Sequence, residues 1–265
     1  MLDMNKLPSV IKDKMGELNY SVDELGCSGA DIIFFDDMVL KVEKTSGQSN
    51  REYDILKWID GRLSVPEVIE FVQENGYNYL LVSRLSGEMI CSEENMRNLD
   101  FVAETLANGL KKLWSLDISH CPYSSRLDER LKDAKYNMDN GLVDVDDAEE
   151  DTFGENGFED VDALYTFLVS NKPDEDLVFT HGDYCLPNIF VDDNDISFLD
   201  LGKAGIADRW QDVALCIRSL KYNVCDLYGA SEEEFERLKE KIYSILGIKE
   251  DKEKLRYYIL LDELF

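Results

Sequence analysis

The chain reads as an α+β protein of two lobes, a small β-rich N-terminal lobe and a larger, mainly helical C-terminal one. Two observations predict this. Apolar residues alternate at period two up to about residue 90 and recur at about 3.6 beyond it. The change of period falls just after Ser86-Gly87, a turn-forming pair. The lobes are therefore drawn as residues 1–90, with a hinge near 82–87, and residues 91–265.

In the first lobe Ile32–Phe35 and Met38–Val42 flank Asp36-Asp37, the pattern of a β-hairpin closed by a tight polar turn. A helix is expected from about Asn50 to Asp60, with Ile55, Leu56, Trp58 and Ile59 on its apolar side and Gly61 ending it. Tyr77–Val82 is a further strand. In the second lobe Leu99, Val102, Ala103, Leu106, Leu110, Leu113 and Trp114 form one long helical stripe, whose ordinary use is packing. Two short strands, Leu177–Thr180 and Ile196–Leu199, bracket the richest motif of the chain. Ser231-x-x-Glu234 is a capping box, and Gly247 is the stop of the helix it opens.

The 265 residues include 28 basic and 56 acidic ones, a formal charge of −28. Such a surface repels nucleic acid and anionic membranes and attracts cations. The six cysteines are scattered without a CxxC pair, and His120 and His181 are the only histidines, so neither a zinc site nor a disulfide framework is suggested. A reducing, cytoplasmic location is expected, since the opening MLDMNKLPSVIKDKMGEL has no apolar stretch of the signal-peptide kind. The longest apolar runs, such as Tyr257–Leu261, are too short to span a bilayer.

Chemistry concentrates in His181-Gly182-Asp183-Tyr184-Cys185-Leu186-Pro187-Asn188, followed after one more apolar stretch by Asp200-Leu201-Gly202. An aspartate and an asparagine five residues apart on a loop, with a second aspartate after the next strand, suit phosphoryl transfer. That reaction needs a carboxylate to orient and deprotonate the attacking hydroxyl, a role for Asp183. It also needs oxygen ligands for Mg²⁺, a role for Asn188 and Asp200. Upstream, a strand lysine should grip the phosphates and a helix glutamate should hold it. Lys41 and Glu52 stand in those places, while Gly26-Cys27-Ser28-Gly29-Ala30 would lie over the phosphates with its amides turned toward them. Taken singly, each of these charges is more often a solvated one; in this order they point to one machine.

An acceptor can be read as well. No lysine or arginine lies between Tyr136 and Asn171, yet residues 139–162 hold eleven carboxylates, Asp146 and Glu149 among them. A charge run of this kind is usually a solvated face, but it would also bind a polycation. The tail favours the second use. Asp262, Glu263 and the Phe265 carboxylate crowd negative charge at the C-terminal end of an expected helix, where the macrodipole favours cations.

These residues carry a resemblance. MVLKVEK with REYDILKWIDG, LLVSRLSGEMICSEE, CPYSSRLDERL, VFTHGDYCLPNIFVDD, SFLDLGKAGIADRWQDVALCIRS and the terminal YYILLDELF are similar to the aminoglycoside 3′-phosphotransferases, a branch of the protein-kinase-like fold. The resemblance implies ATP as co-substrate with Mg²⁺, and the 3′-hydroxyl of a cationic aminoglycoside as acceptor. It implies Asp183 as catalytic base, Asn188 and Asp200 as metal ligands, and Lys41 with Glu52 as the phosphate-gripping pair. Ser28 would touch the phosphates, and Ser83 and Leu85 would present backbone to adenine. Lys203 stands where the family usually has an arginine near the reacting groups. Asp146, Glu149, Asp183, Arg218, Glu263 and Phe265 would contact the aminoglycoside, while Tyr222 replaces a further acidic family position.

Two other readings compete. A kinase for a different small hydroxylated molecule, of the macrolide or choline type, would keep HGDx4N but leave the acidic tail unused. A non-catalytic nucleotide-binding or polycation-sequestering protein would lose at least one of Lys41, Asp183, Asn188 and Asp200, and all four are present. The sequence leaves a monomer and a dimer equally open.

Overall fold

The computed structural model describes residues 7–16, 19–22, 30–45, 50–146, 148–149, 151–154, 157–193 and 195–265. Its elements in chain order are α1 (Ser9–Met15), β1 (Ser21–Val22), β2 (Asp31–Phe34), β3 (Met38–Lys44), α2 (Arg51–Ile59), β4 (Val68–Glu74), β5 (Tyr77–Ser83) and β6 (Glu88–Met89). There follow α3 (Glu93–Met96), α4 (Leu99–Trp114), α5 (Leu127–Asp139), α6 (Val161–Ser170), β7 (Leu177–Thr180), β8 (Ile189–Asp192), β9 (Asp195–Phe198) and β10 (Gly205–Asp208). The chain ends with α7 (Arg209–Lys221), a π-helical turn (Tyr222–Leu227), α8 (Glu232–Leu246) and α9 (Lys252–Asp262). Two compact units result: Met1–Glu88 with Phe190–Lys203, and Met89–Ile189 with Ala204–Phe265. The segment carrying Asp200 thus belongs with the β-rich unit, although it lies a hundred residues downstream in sequence.

The first unit is built on an antiparallel sheet of order β1-β2-β3-β5-β4. β2 and β3 form the expected hairpin, with Phe34 opposite Val39 and the Phe35 N–H donating to the Met38 carbonyl at 2.9 Å. The pleat sends alternate side chains to opposite faces. Met38, Leu40 and Val42 therefore face a core shared with Ile33, Leu81 and, from α1, Ile11 and Met15, while Lys41 faces away from it. β4 is an element that periodicity did not suggest. A register shift between Val68 and Glu70 interrupts its pairing with β5 and with it the alternation that marks a strand.

Downstream, β9 is tied to the segment after α2. The Phe198 N–H donates to the Ser64 carbonyl at 3.0 Å, and the Ser64 and Ser197 hydroxyls lie 2.7 Å apart. Gly87 in the expected connector has φ +80°, and a Cβ there would meet the Val191 carbonyl oxygen at 2.1 Å, so no other residue fits.

In the second unit α4 packs along α8 and α7 along α9. The predicted stripe is the buried one, since Val102, Ala103, Leu106, Leu110 and Leu113 are all fully buried. The Ser231 hydroxyl caps α8 by accepting from the Glu234 N–H at 3.2 Å, and Gly247 closes the helix in the left-handed conformation. β7 pairs antiparallel with β10, a four-residue strand too short to announce itself in sequence. Asp208 at the end of β10 is wholly buried, caps α7 through the Trp210 N–H, and receives Lys254 at 2.6 Å and the Tyr258 hydroxyl at 3.0 Å from α9. Among the described residues no helix is long and apolar enough to cross a membrane.

Candidate active site

In the first unit the hairpin, α2 and the turn after β9 bring together three of the expected residues. Lys41, on the outward face of β3, donates to Glu52 Oε2 at 2.8 Å and to Asp200 Oδ1 at 3.3 Å. Glu52 reaches it from the first turn of α2, and Asp200 from the turn after β9. Burial works against the Lys41 charge, but the carboxylates of Glu52 and Asp200 outweigh it and hold the ammonium pKa above the usual lysine value. Asp200 has φ +56°, a left-handed backbone that costs free energy and recurs at functional positions. Its side chain remains 45% exposed, so an oxygen is left for a ligand. Arg51, beside Glu52, donates to the Lys203 carbonyl at 3.3 Å and so ties α2 to the Asp200 turn. The Lys203 side chain is exposed.

At the end of β5 the Ser83 N–H is spent on the Glu67 carbonyl and that of Arg84 on the Asp37 carbonyl, both at 2.9 Å. A base approaching Ser83 would therefore meet its carbonyl. Ser28 and most of its glycine-rich loop lie outside the described residues.

The second unit holds the HGDx4N loop. β7 delivers it, and a buried carboxylate on α7 braces it. Asp212 accepts from the amides of His181 at 2.7 Å and Gly182 at 2.9 Å, one on each oxygen. Burial pushes the Asp212 carboxyl up to about 7, against the pull of those two amides, and the neighbouring Asp183 charge adds to the rise. On the far side of Asp183, Asn188 Nδ2 donates to the Asp183 carbonyl at 3.0 Å, so its side-chain oxygen is the atom not used in that bond. The Tyr184 hydroxyl pins the loop to the Leu106 carbonyl at 2.8 Å. Asp183 itself is half-buried.

The acidic tail gathers nearby residues of the same unit. Asp262 receives Arg218 from α7 and, at 3.5 Å, Arg130 from α5. Glu263 lies 3.9 Å from Arg218 and accepts from the Glu149 amide at 3.5 Å. Burial pushes Glu263 up to about 7, with the Glu149 amide and Arg218 opposing the rise. The Phe265 ring lies over the Arg130 guanidinium at 3.8 Å. Asp146 is not part of this gathering; it is exposed, and its amide turns back onto the Asp144 carboxylate. Asp147, Glu150 and Glu155 of the acidic run lie outside the described residues.

Sequence reasoning missed Asp212 and Arg130 as site residues. A carboxylate inside WQDVALCIRSL, followed directly by the apolar run Val213–Ile217, was the available signal for the first. Nothing local marked the second.

A strand lysine holding two carboxylates, together with a braced HGDx4N loop, defines a phosphotransferase of the kinase-like fold. The chain belongs to the phosphotransferase enzyme family, whose model matches residues 29–237. An aminoglycoside 3′-phosphotransferase of Enterococcus faecalis is 42% identical over 226 residues, 83% of this chain and 80% of that one. A protein of the same name from Niallia circulans is 35% identical over 274 residues, covering 97% of each chain. Among solved structures, an aminoglycoside phosphotransferase of Streptomyces rimosus, in complex with ADP and streptomycin, matches at 21% identity with a TM-score of 0.82. That match covers 100% of this chain and 99% of the other.

Proposed function

We propose that this protein transfers the γ-phosphoryl group of ATP to the 3′-hydroxyl of aminoglycoside antibiotics of the kanamycin and neomycin class, so conferring resistance to them. The observation that carries the reaction is Lys41 bridging Glu52 and Asp200 (2.8 and 3.3 Å), the arrangement that grips nucleotide phosphates. Kinship along 97% of a named aminoglycoside 3′-phosphotransferase supports the acceptor.

Within this reading Asp183 orients the acceptor hydroxyl and takes its proton, on a loop whose backbone is held from both sides. Asn188 and Asp200 are hard oxygen donors and suit Mg²⁺; they would hold it, and bound there it would supply charge neutralisation at the phosphates. Lys41 meets the phosphates and Glu52 holds Lys41. Ser28 would add a phosphate contact. The Ser83 carbonyl and the Leu85 backbone would meet adenine. Lys203 follows Asp200 by three residues, and its cation would face negative charge near the transfer.

On the acceptor side Glu149, Arg218, Glu263 and Phe265 would line the site and Asp146 would reach it from its exposed loop, so that ammonium groups meet carboxylates. The substrates are ATP and a polycation, with no nucleic acid or membrane involved, and the expected location is the cytoplasm. Kanamycin and tobramycin test this together. Kanamycin should yield a product phosphorylated at the 3′ position, located by phosphorus NMR and mass spectrometry. Tobramycin lacks that hydroxyl, keeps its cations, and should inhibit competitively without being phosphorylated. Rapid phosphorylation of tobramycin, or a kanamycin product modified only elsewhere, would overturn the 3′ assignment.

A further inference from the structure

An arginine buried within an acidic wall calls for an explanation. Arg130 is 7% exposed, and its Nε, wholly buried, has no hydrogen-bond partner among the described residues. Taking a guanidinium out of water is costly unless the geometry repays it. Here one edge faces the Asp262 carboxylate at 3.5 Å while the planar face carries the Phe265 ring at 3.8 Å. Asp262 also holds Arg218, so α5, α7 and the last residue of α9 meet at one carboxylate. Asn137, two turns further along α5, donates to the Leu264 carbonyl at 2.9 Å and fastens the tail that follows α9.

We propose that Arg130 is a positioning residue for the acceptor: its guanidinium is the platform on which Phe265 and Asp262 are laid, and through Asp262 it sets Arg218 and Glu263. This rests on the aminoglycoside reading above. Arginine is required because the two contacts use different parts of one group, its face for the ring and its edge for the carboxylate. A lysine ammonium offers only the second. Burial pulls the guanidinium pKa below its usual value, and the carboxylates of Asp262, Asp133 and Asp183 oppose that fall. Replacing Arg130 does not orphan Asp262, which keeps Arg218, so the fold should survive the change.

The test is steady-state kinetics of the whole protein with kanamycin and MgATP, on Arg130→Met, Arg130→Lys, Phe265→Ala and the Arg130→Met/Phe265→Ala double variant. Arg130→Met should raise the kanamycin KM about tenfold, as for loss of an anchoring contact, with the MgATP KM and kcat within about threefold of wild type. Arg130→Lys should fall between, since it retains the ion pair alone. The double variant should be no worse than the poorer single one, because ring and platform form one unit. A kanamycin KM within about twofold of wild type in Arg130→Met, or in Arg130→Lys should the Met variant fail to fold, overturns the proposal, as do fully additive effects. If Phe265→Ala alone raises that KM, the acceptor reading stands and only the platform falls. A wild type that phosphorylates no aminoglycoside sinks both.

Discussion

Asp200 and Asp183 are both carboxylates of the proposed reaction, and the fold holds them in opposite ways. Asp200 is gripped by its side chain, with Lys41 on one oxygen and a left-handed backbone beneath it. Asp183 is gripped by its surroundings. Asp212 takes the amides of the two preceding residues, and Asn188 takes the Asp183 carbonyl. The difference follows from the work proposed for each. A carboxylate proposed to work beside a metal can be pinned by a cation. One that accepts a proton cannot be locked in that way, so the precision has to come through the main chain.

The largest test of this contrast is Asp183→Asn. It should lower kcat by roughly 10²–10⁴ while the MgATP KM stays near wild type, since only the proton acceptor is gone. Retention of more than about a tenth of wild-type kcat would place the base elsewhere. Next in size is Lys41→Met, which should cut kcat/KM for MgATP by about 10²–10³, the usual effect of losing one electrostatic contact at a reacting group. The kanamycin KM should barely move. A loss of less than about fivefold in initial-rate assays would separate Lys41 from the phosphates.

Asp212 sharpens the comparison through pH. Its carboxyl sits near pH 7; ionised, it accepts both amides, and protonated, it keeps one acceptor oxygen and loses a bond. The wild-type kcat should therefore climb through about pH 7, and Asp212→Asn should be slower with that limb absent. Stability runs the other way. The folded pKa is raised above the unfolded value of 3.8, so the contribution is full below that value, declines as pH rises to about 7, and is flat beyond. Denaturant midpoints across this range should show Asp212→Asn gaining on wild type by on the order of a few kcal/mol as pH rises. A parallel offset at every pH would contradict the assignment. The smallest effect is expected far from both carboxylates. Ser231→Ala removes the cap of α8, should cost about 1 kcal/mol in thermal unfolding, and should leave kcat unchanged.

How legible all this was depended on distance along the chain. The β2–β3 hairpin, α4 and the Ser231-to-Gly247 helix were readable because their causes are local: alternation around Asp36-Asp37, one apolar stripe, a cap and a glycine stop. β4 was hidden by its bulge, and β10 by having four residues whose partner lies before the HGDx4N loop. At the site, Lys41, Glu52, Asp183, Asn188 and Asp200 were read from order and spacing; in the structure Lys41 meets Glu52, the residue read as its holder, and also Asp200, a contact the sequence did not suggest. Asp212 escaped because a lone acid on a helix ordinarily faces water. The tail looked like uncompensated charge against the helix dipole. Its compensation comes from Arg130 and Arg218, respectively 132 and 44 residues away in sequence, which no local pattern reveals.

Helix α7 carries Asp212 near its start and Arg218 near its end. Six residues of α-helix separate the two, a rise of about 9 Å that thermal motion hardly alters. The helix therefore works as a ruler. One mark is set against the loop of the proposed proton acceptor, the other against the wall proposed to hold the antibiotic's ammonium groups. Which hydroxyl comes under Asp183 is then a matter of length. Lengthening the ruler by one residue would turn the far mark by about 100° and unseat it altogether. A shift to a different hydroxyl is accordingly hard to reach by changing α7 and easier to reach by rebuilding the wall.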